Sequence, residues 1–133
     1  LTPHTGEAAR IADALGLTVD FDADRLGSAQ AIARALHCAV LLKGPVTLVT
    51  DGARFVATPV LNAQLATAGS GDVLAGLIGG AMARHSRMLT ASMVLELAAA
   101  SAIRHSEAAL IQDTAASDLV VGLEDALSAT MAP

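Results

Sequence analysis

The sequence predicts an α/β fold, a layered sandwich in which helices cover a sheet of short strands. Two observations support this prediction. The continuous apolar run at residues 39–42 is too short for a helix and is typical of a strand buried on both faces. Two segments with apolar residues at helical spacing precede it, and further short apolar runs and then helical segments follow it. The 133 residues fit one small domain or part of a larger one.

Two helices are expected before the buried strand. Residues 5–16 carry apolar side chains at i, i+3, i+4 and i+7, with Thr5 as the candidate N-cap. Gly16 stands where a left-handed residue commonly ends a helix. A second helix is expected over about residues 24–37, with its apolar side chains on one face.

A β-hairpin is expected after the strand. Apolar runs at residues 46–50 and 55–57 flank Asp51-Gly52, a dipeptide that favours a two-residue turn. We expect this hairpin to be a local antiparallel exception in the layer. Residues 58–69 contain Pro, Asn and Gly and are expected to form a loop.

The second half of the chain is expected to be helical, over about residues 70–85, 90–111 and 117–129. The helix at 90–111 is apolar around its whole circumference, which predicts burial. Three glycines lower the helix propensity of 70–85, so we expect close packing against another element there as compensation; they are Gly76, Gly79 and Gly80.

Composition excludes several classes of protein. The net charge of −5 and the absence of Trp and Tyr argue against a nucleic-acid partner or an anionic membrane surface. No apolar run reaches the ~18 residues that a membrane span needs. Cys38 is the single cysteine, which fits a reducing compartment, so we expect a cytoplasmic protein without a leader. The chain opens at what resembles a strand end, so we expect a piece of a longer protein.

The most informative segment is A-T-A-G-S-G-D-V-L-A-G at residues 66–76, a small Gly-rich loop that runs into a predicted helix. Amide groups at a helix start lack internal partners and favour anions, so this loop is a candidate phosphate site. Gly69 and Gly71 would let phosphate oxygens approach the backbone. The alternative is an ordinary helix start, with Ser70 as N-cap and Asp72 favoured by the helix dipole.

A second candidate is K-G-P-V-T at residues 43–47, directly after the buried strand. Ligands of open α/β sheets bind beyond the carboxyl ends of strands. Lys43 is a charge suited to phosphate, and Gly44 permits close approach. The alternative is a charged turn that enters the hairpin.

A third candidate is L-T-P-H-T-G-E at residues 1–7, where His4 could donate to a substrate and Glu7 could serve only the helix dipole. The alternative is a helix cap with a solvent-facing histidine. The remaining histidines show no metal-ligand spacing with Cys38, so no protein-built metal site is predicted.

Together, the three segments resemble the C-terminal half of ADP-dependent NAD(P)H-hydrate dehydratases, a family of the ribokinase-like superfamily. The matching pattern is L-T-P-H-x-G-E, a strand ending in L-K-G, and A-T-x-G-S-G-D-V-L-A-G, in that order over residues 1–76. The resemblance implies a three-layer α/β/α sandwich. It also implies that residues 1–133 are the C-terminal portion of one domain whose N-terminal half is absent.

The resemblance also implies roles for single residues. His4 and Asp72 would contact the hydrated nicotinamide, and Asp72 would be the catalytic base. The nucleotide would contact two loops, formed by Lys43, Gly44, Pro45, Val46 and Thr47 and by Gly69, Ser70 and Gly71. The chain departs from the family pattern at Thr5, Pro45 and Ala68, none of which removes an acid–base group.

The implied activity is the repair of hydrated NADH or NADPH. The hydroxyl of the hydrate is phosphorylated from ADP with Mg²⁺, phosphate is eliminated, and AMP is left. Alternatives are a small-molecule kinase of the same superfamily, for a thiazole or a sugar, and a non-catalytic nucleotide-binding fragment. The His4 motif favours the dehydratase. The expected partners are a second copy of the chain or the missing half.

Overall fold

The computed structural model describes residues 1–59, 68–84 and 90–111. The elements follow in the order α1 (Thr5–Ala14), α2 (Arg25–Leu36), β1 (Val40–Leu42), β2 (Val46–Thr50), β3 (Phe55–Pro59), α3 (Ser70–Arg84) and α4 (Ala91–Ile111). Each corresponds to an element predicted from the sequence. The helix predicted at 117–129, His85 and residues 60–67 of the predicted loop lie outside the described residues.

The sheet has the strand order β1-β2-β3, and both pairings are antiparallel. The hairpin is therefore present, but it is no local exception, because β1 also pairs antiparallel with β2. The expected two-residue turn is wrong. Thr50 pairs with Phe55, which leaves a four-residue connection, 51–54. Asp51 Oδ1 accepts the backbone N–H groups of the last two residues of this connection, at 3.0 and 2.8 Å, and so stabilises the wider turn.

A parallel neighbour of β1 is the extended segment 1–4. Leu41 donates its backbone N–H to the carbonyl of Leu1 at 2.8 Å, and Lys43 donates to Pro3 at 2.9 Å. His4 and Lys43 form a parallel bridge. The expected strand end at the start of the chain is therefore confirmed as a parallel pairing, and it brings His4 alongside Lys43.

The helix ends follow local chemistry. The N-cap of α1 is His4 rather than the expected Thr5, because the His4 ring accepts two backbone N–H groups of the first turn. Asp24 caps α2 through a hydrogen bond from the N–H of Gly27 at 2.8 Å. Gly16 has a φ of 66°, as expected for the residue after α1, and His37 ends α2 with a φ of 50°.

Helices cover both faces of the sheet, so the chain forms three layers. On one face, α1 and α2 pack small and branched side chains against the sheet; the cluster is Ala8, Ala12, Phe21, Ala29, Ile32, Ala33, Val40, Leu42 and Leu48. On the other face, α3 and α4 supply the cluster of Leu41, Val49, Leu74, Ile78, Leu95, Ala98, Ala99 and Ala102. Residues of β1 belong to both clusters, which confirms a strand buried on both faces.

One packing expectation is wrong for the described residues, and a second, at the three glycines of α3, stays a prediction. Helix α4 is buried along one face only, since Ile103 keeps 45% of its surface exposed. No described atom lies within 4 Å of the positions that side chains would occupy at Gly76, Gly79 and Gly80. Helix α3 instead contacts the core through Leu74 and Ile78. No helix within 1–59, 68–84 and 90–111 has the length and apolar character that crossing a membrane requires.

Candidate functional site

Lys43 and the start of α3 meet beside the end of β1. A methyl group at position 71 would lie only 2.9 Å from Nζ of Lys43, so Gly71 leaves the space that the lysine head occupies. This proximity was expected from the placement of the two motifs, and the structure confirms it. The site therefore combines a cation with the N-terminus of a helix, which is an arrangement suited to a phosphate group.

The start of α3 depends on Gly69. Its φ of 87° favours glycine, and its carbonyl accepts the N–H groups of Asp72 and Val73, both at 3.1 Å. Gly69 therefore holds the cap position, rather than Ser70, which is the first helical residue and is buried. The helix dipole places partial positive charge at such an N-terminus, which favours an anion beside it. The side chain of Asp72 is exposed at this end of α3.

His105 fastens the start of α3 to α4. Only 4% of its surface is exposed, and its ring donates a hydrogen bond to the backbone of Ser70. Burial lowers the pKa of His105 and so favours the neutral ring. Its Nε2 atom has no hydrogen-bond partner among the described residues. The sequence does not indicate this role, since a histidine within an apolar helix carries no signal of its partner.

His4 and Glu7 form a reciprocal cap at the start of α1. His4 Nδ1 accepts the N–H groups of Gly6 at 3.0 Å and Glu7 at 3.3 Å, and Glu7 Oε2 accepts the N–H of His4 at 2.7 Å. Because Nδ1 accepts, the proton of the neutral ring sits on Nε2, which lies 3.3 Å from Oε1 of Glu7. The ring is more than half exposed, so it caps the helix while facing solvent.

Glu7 connects the first motif to the second. Its Oε2 lies 3.6 Å from Nζ of Lys43. The backbone N–H of His4 is the largest cause that lowers the pKa of Glu7, and the charge of Lys43 lowers it further. Glu7 is therefore ionised at neutral pH and steers the lysine head. From the sequence, Glu7 was expected to serve only the helix dipole, because its partner is distant along the chain.

The rest of the K-G-P-V-T segment divides into two parts. Gly44, Pro45 and Val46 are exposed, whereas Thr47 is buried within β2 and pairs with Thr58. The structure thus presents the backbone around Gly44-Pro45 to solvent beside Lys43, and encloses the threonine side chain.

Arg25 lies against this exposed backbone. Its guanidinium donates to the carbonyl of Lys43 at 3.2 Å and to that of Val46 at 3.1 Å. It is the first residue of α2, so it reaches the loop from a neighbouring layer. Nothing in the local sequence indicates this contact, so Arg25 is not among the site residues expected from the sequence.

No group of three His, Cys, Asp or Glu residues within the described parts of the chain is arranged to hold a metal ion. The carboxylates near the two loops are Asp72, which is exposed, and Glu7, which faces Lys43. Mg²⁺ commonly takes one or two carboxylates together with substrate phosphates. A Mg²⁺ ion at this end of the sheet would therefore depend mainly on ligands other than protein carboxylates.

Solved structures show the class of fold. The chain is similar to the structure of a hydroxyethylthiazole kinase from Pyrococcus horikoshii OT3, with a TM-score of 0.68 and 22% sequence identity. The similarity covers 96% of this chain and 47% of that one. The architecture is thus that of the ribokinase-like α/β proteins, as the sequence resemblance implied.

Sequence relatives identify the family more narrowly. The sequence profile of the NAD(P)H-hydrate dehydratase family matches residues 1–129, and the chain belongs to this family. The ADP-dependent (S)-NAD(P)H-hydrate dehydratase of Neisseria meningitidis serogroup B is 42% identical over 111 residues, which are 82% of this chain and 34% of that protein. The bifunctional NAD(P)H-hydrate repair enzyme Nnr of Mycobacterium tuberculosis is 46% identical over 84 residues. Those residues are 62% of this chain and 17% of the repair enzyme, so the chain spans a minor part of each relative.

Proposed function

We propose that the chain carries the nucleotide loops and the catalytic acid–base residue of an ADP-dependent NAD(P)H-hydrate dehydratase. The observation that carries this proposal is the convergence of three motifs at one end of the sheet. His4 forms a bridge with Lys43, and the amine of Lys43 lies against Gly71, next to Asp72. The Neisseria relative bears this activity in its name.

In the proposed reaction the hydroxyl of hydrated NAD(P)H attacks the terminal phosphorus of ADP. A P–O bond forms to the substrate, the bond to the leaving AMP breaks, and Asp72 accepts the hydroxyl proton. Elimination then breaks the C–O bond of the phosphate ester and a C–H bond on the neighbouring ring carbon, so that phosphate and a proton leave and the C=C bond of NAD(P)H is restored. The net change converts one hydrate and one ADP to NAD(P)H, AMP and phosphate.

The charged groups at the site suit this chemistry. The Gly69–Gly71 amides and the Lys43 ammonium ion would offset negative charge on the transferring phosphoryl group and on the nucleotide. The exposed ring of His4 would donate to the hydrate through Nε2. Mg²⁺ bound with ADP would supply further charge neutralisation on the phosphates.

The remainder of the site is proposed to come from residues outside this chain, either in a longer polypeptide or in another subunit of a homo-oligomer. The chain corresponds to 34% of the Neisseria relative and 47% of the kinase structure, so both larger proteins have residues without a counterpart in this chain. The proposed location is the cytoplasm, where a lone cysteine such as Cys38 stays reduced.

The test combines titration calorimetry with an assay of NADH formation. The protein is titrated with ADP and then supplied with hydrated NADH, ADP and Mg²⁺. Recovery of NADH absorbance with stoichiometric AMP supports the proposal. ATP-dependent phosphorylation of a thiazole or sugar alcohol without NADH recovery would favour the small-molecule kinase. Binding of ADP without either reaction would favour the non-catalytic nucleotide-binding fragment, and absence of nucleotide binding would contradict the proposal.

A further inference from the structure

One side chain spans the exposed connection between β1 and β2. Nη1 of Arg25 donates to the carbonyl of Val46 and Nη2 donates to that of Lys43, the residues on either side of Gly44-Pro45. The guanidinium group is planar and presents its N–H groups in a fixed fork. A single arginine therefore holds both ends of the connection at a fixed separation.

The glycine within this connection is explained by the same arginine. A β-carbon at position 44 would collide with Nη2 of Arg25 and would lie 3.0 Å from its Cζ. From the sequence, Gly44 was expected to permit the close approach of a phosphate. The structure adds that Gly44 leaves room for a guanidinium on one side of the loop, so any ligand contacts the opposite side.

The position of Arg25 also sets the direction of one backbone donor. The carbonyl of Lys43 and the N–H of Gly44 belong to one peptide unit, and the described residues contain no cis peptide bond. In a trans peptide these two groups point in opposite directions. Because the Lys43 carbonyl faces Arg25, the Gly44 N–H faces away from it. Pro45 has no N–H, so Gly44 is the donor that the Gly44-Pro45 pair can offer.

We propose that Arg25 is a positioning residue for nucleotide binding, which holds the Lys43 and Val46 carbonyls so that the Gly44 N–H points at a phosphate oxygen of ADP. This inference rests on the proposed function, because ADP is the ligand of that proposal. Arg25 itself stays on the far side of the loop from the nucleotide.

The chain supplies a matched control in Arg34, on the same helix. Nη1 of Arg34 donates to the carbonyl of Gly52 at 2.7 Å, in the connection between β2 and β3. A β-carbon at position 52 would lie 2.6 Å from Cγ of Arg34. Arg25 and Arg34 therefore make the same kind of contact with two different loops, and only the first loop is part of the candidate site.

The experiment is calorimetric titration of ADP into the wild-type protein and the variants Arg25→Ala, Arg25→Lys, Arg34→Ala and Arg34→Lys. Arg25→Ala is expected to weaken ADP binding about tenfold, which is about 1.4 kcal/mol. The ADP affinity of Arg25→Lys is expected to lie between those of the wild type and Arg25→Ala. An ammonium ion keeps the charge but cannot reproduce the forked geometry of the guanidinium. Both Arg34 variants should bind ADP like the wild type, even where they melt at a lower temperature.

In turnover assays the Arg25 variants should raise KM for ADP and leave KM for hydrated NADH unchanged. Where Arg25→Ala does not fold, the comparison of Arg25→Lys with Arg34→Lys decides. Wild-type ADP affinity in a folded Arg25 variant would overturn this inference and leave the proposed function intact. A wild-type protein that does not bind ADP would overturn both.

Discussion

The two connections of the sheet are both held by arginines of α2, but they differ in how their own polar groups are used. In the 51–54 connection, the Asp51 carboxylate accepts hydrogen bonds from two backbone N–H groups and from the guanidinium of Arg54. These polar groups of the turn are therefore hydrogen-bonded to one another. The connection that follows Lys43 is held from outside, by Arg25 and by the parallel segment 1–4. A loop held from outside keeps its own donors for a ligand, whereas a self-bonded loop has fewer to offer.

The comparison extends to the two ends of the sheet. At the end near Lys43, charged groups and a helix N-terminus lie together and exposed. At the opposite end, the carboxylate of Asp51 forms an ion pair with Arg54, and 2.7 Å separates Oδ2 from Nη2. Substitutions at the first end should therefore alter binding and turnover, and substitutions at the second should alter stability alone.

The largest expected effect is on turnover, from Asp72→Asn. Asparagine has nearly the same size but cannot accept the hydroxyl proton, so kcat should fall by about 10² to 10⁴-fold. ADP binding should persist. The matched control is Asp51→Asn at the opposite end, which should leave kcat unchanged. Rates of NADH recovery and calorimetric titrations measure both quantities. Wild-type turnover in Asp72→Asn would show that another group takes the proton.

The next effect is on stability, from Gly52→Ala. Gly52 has a φ of 95°, and an added β-carbon would lie 3.1 Å from the backbone nitrogen of Arg34. Strain of this kind costs about 1–3 kcal/mol of unfolding free energy. Denaturant melts should show that loss, while ADP affinity stays at the wild-type value. A weakened ADP affinity would mean that the two ends of the sheet are coupled.

A smaller effect on binding is expected from Gly71→Ala. The added methyl would displace the Lys43 ammonium ion, which sits at the end of a flexible side chain, so the fold should survive. Loss of this charge from the site should weaken ADP binding about tenfold. Gly80→Ala on the same helix is the control, since no described atom lies within 4 Å of its β-carbon position.

The control variant Gly80→Ala is itself expected to change the unfolding free energy. Alanine in a helix interior is more stable than glycine by about 0.5–1 kcal/mol, so Gly80→Ala should raise the unfolding free energy and leave ADP affinity unchanged. Equal ADP affinities of Gly71→Ala and Gly80→Ala would show that the position of Lys43 does not affect nucleotide binding. A loss of stability in Gly80→Ala would place another segment against this face of α3.

Elements with a periodic pattern were predictable from the sequence. The helices and the apolar strand at 39–42 follow from side-chain spacing, and Gly16 stands where the backbone adopts positive φ, as expected. The width of the hairpin turn was not predictable from the Asp51-Gly52 dipeptide, because the Asp51 side chain bonds to residues further along the loop.

The contacts that the site residues make with other elements could not be predicted from the sequence. Arg25 bonds to a carbonyl 18 residues away, Glu7 reaches Lys43 across a parallel pairing, and His105 holds Ser70 from another helix. Each contact depends on how layers stack. A motif predicts where an anion binds, because glycines and helix starts are local features. The side chains that hold the motif in place come from elsewhere in the fold.

The smallest expected effect concerns pH and Asp51. The N–H groups of Arg54 and Ala53 and the guanidinium of Arg54 lower the pKa of Asp51 from 3.8 to about 2. A lowered carboxyl pKa adds stability that is complete above pH 3.8 and is lost as the pH falls towards 2. Because Arg54 is half exposed, solvent screening limits the contribution to about 1 kcal/mol.

The measurement compares the wild type with Asp51→Asn, so that other titrating groups, Glu7 among them, cancel. The difference in unfolding free energy should be constant above pH 4 and should shrink between pH 4 and pH 2, as the carboxylate takes up its proton. ADP affinity at neutral pH should be equal in the two proteins, since this ion pair lies at the end of the sheet away from Lys43. A difference that stays constant down to pH 2 would show that the 51–54 connection does not depend on the ionised carboxylate. The contrast between its self-bonded turn and the externally held loop would then rest on hydrogen bonds alone.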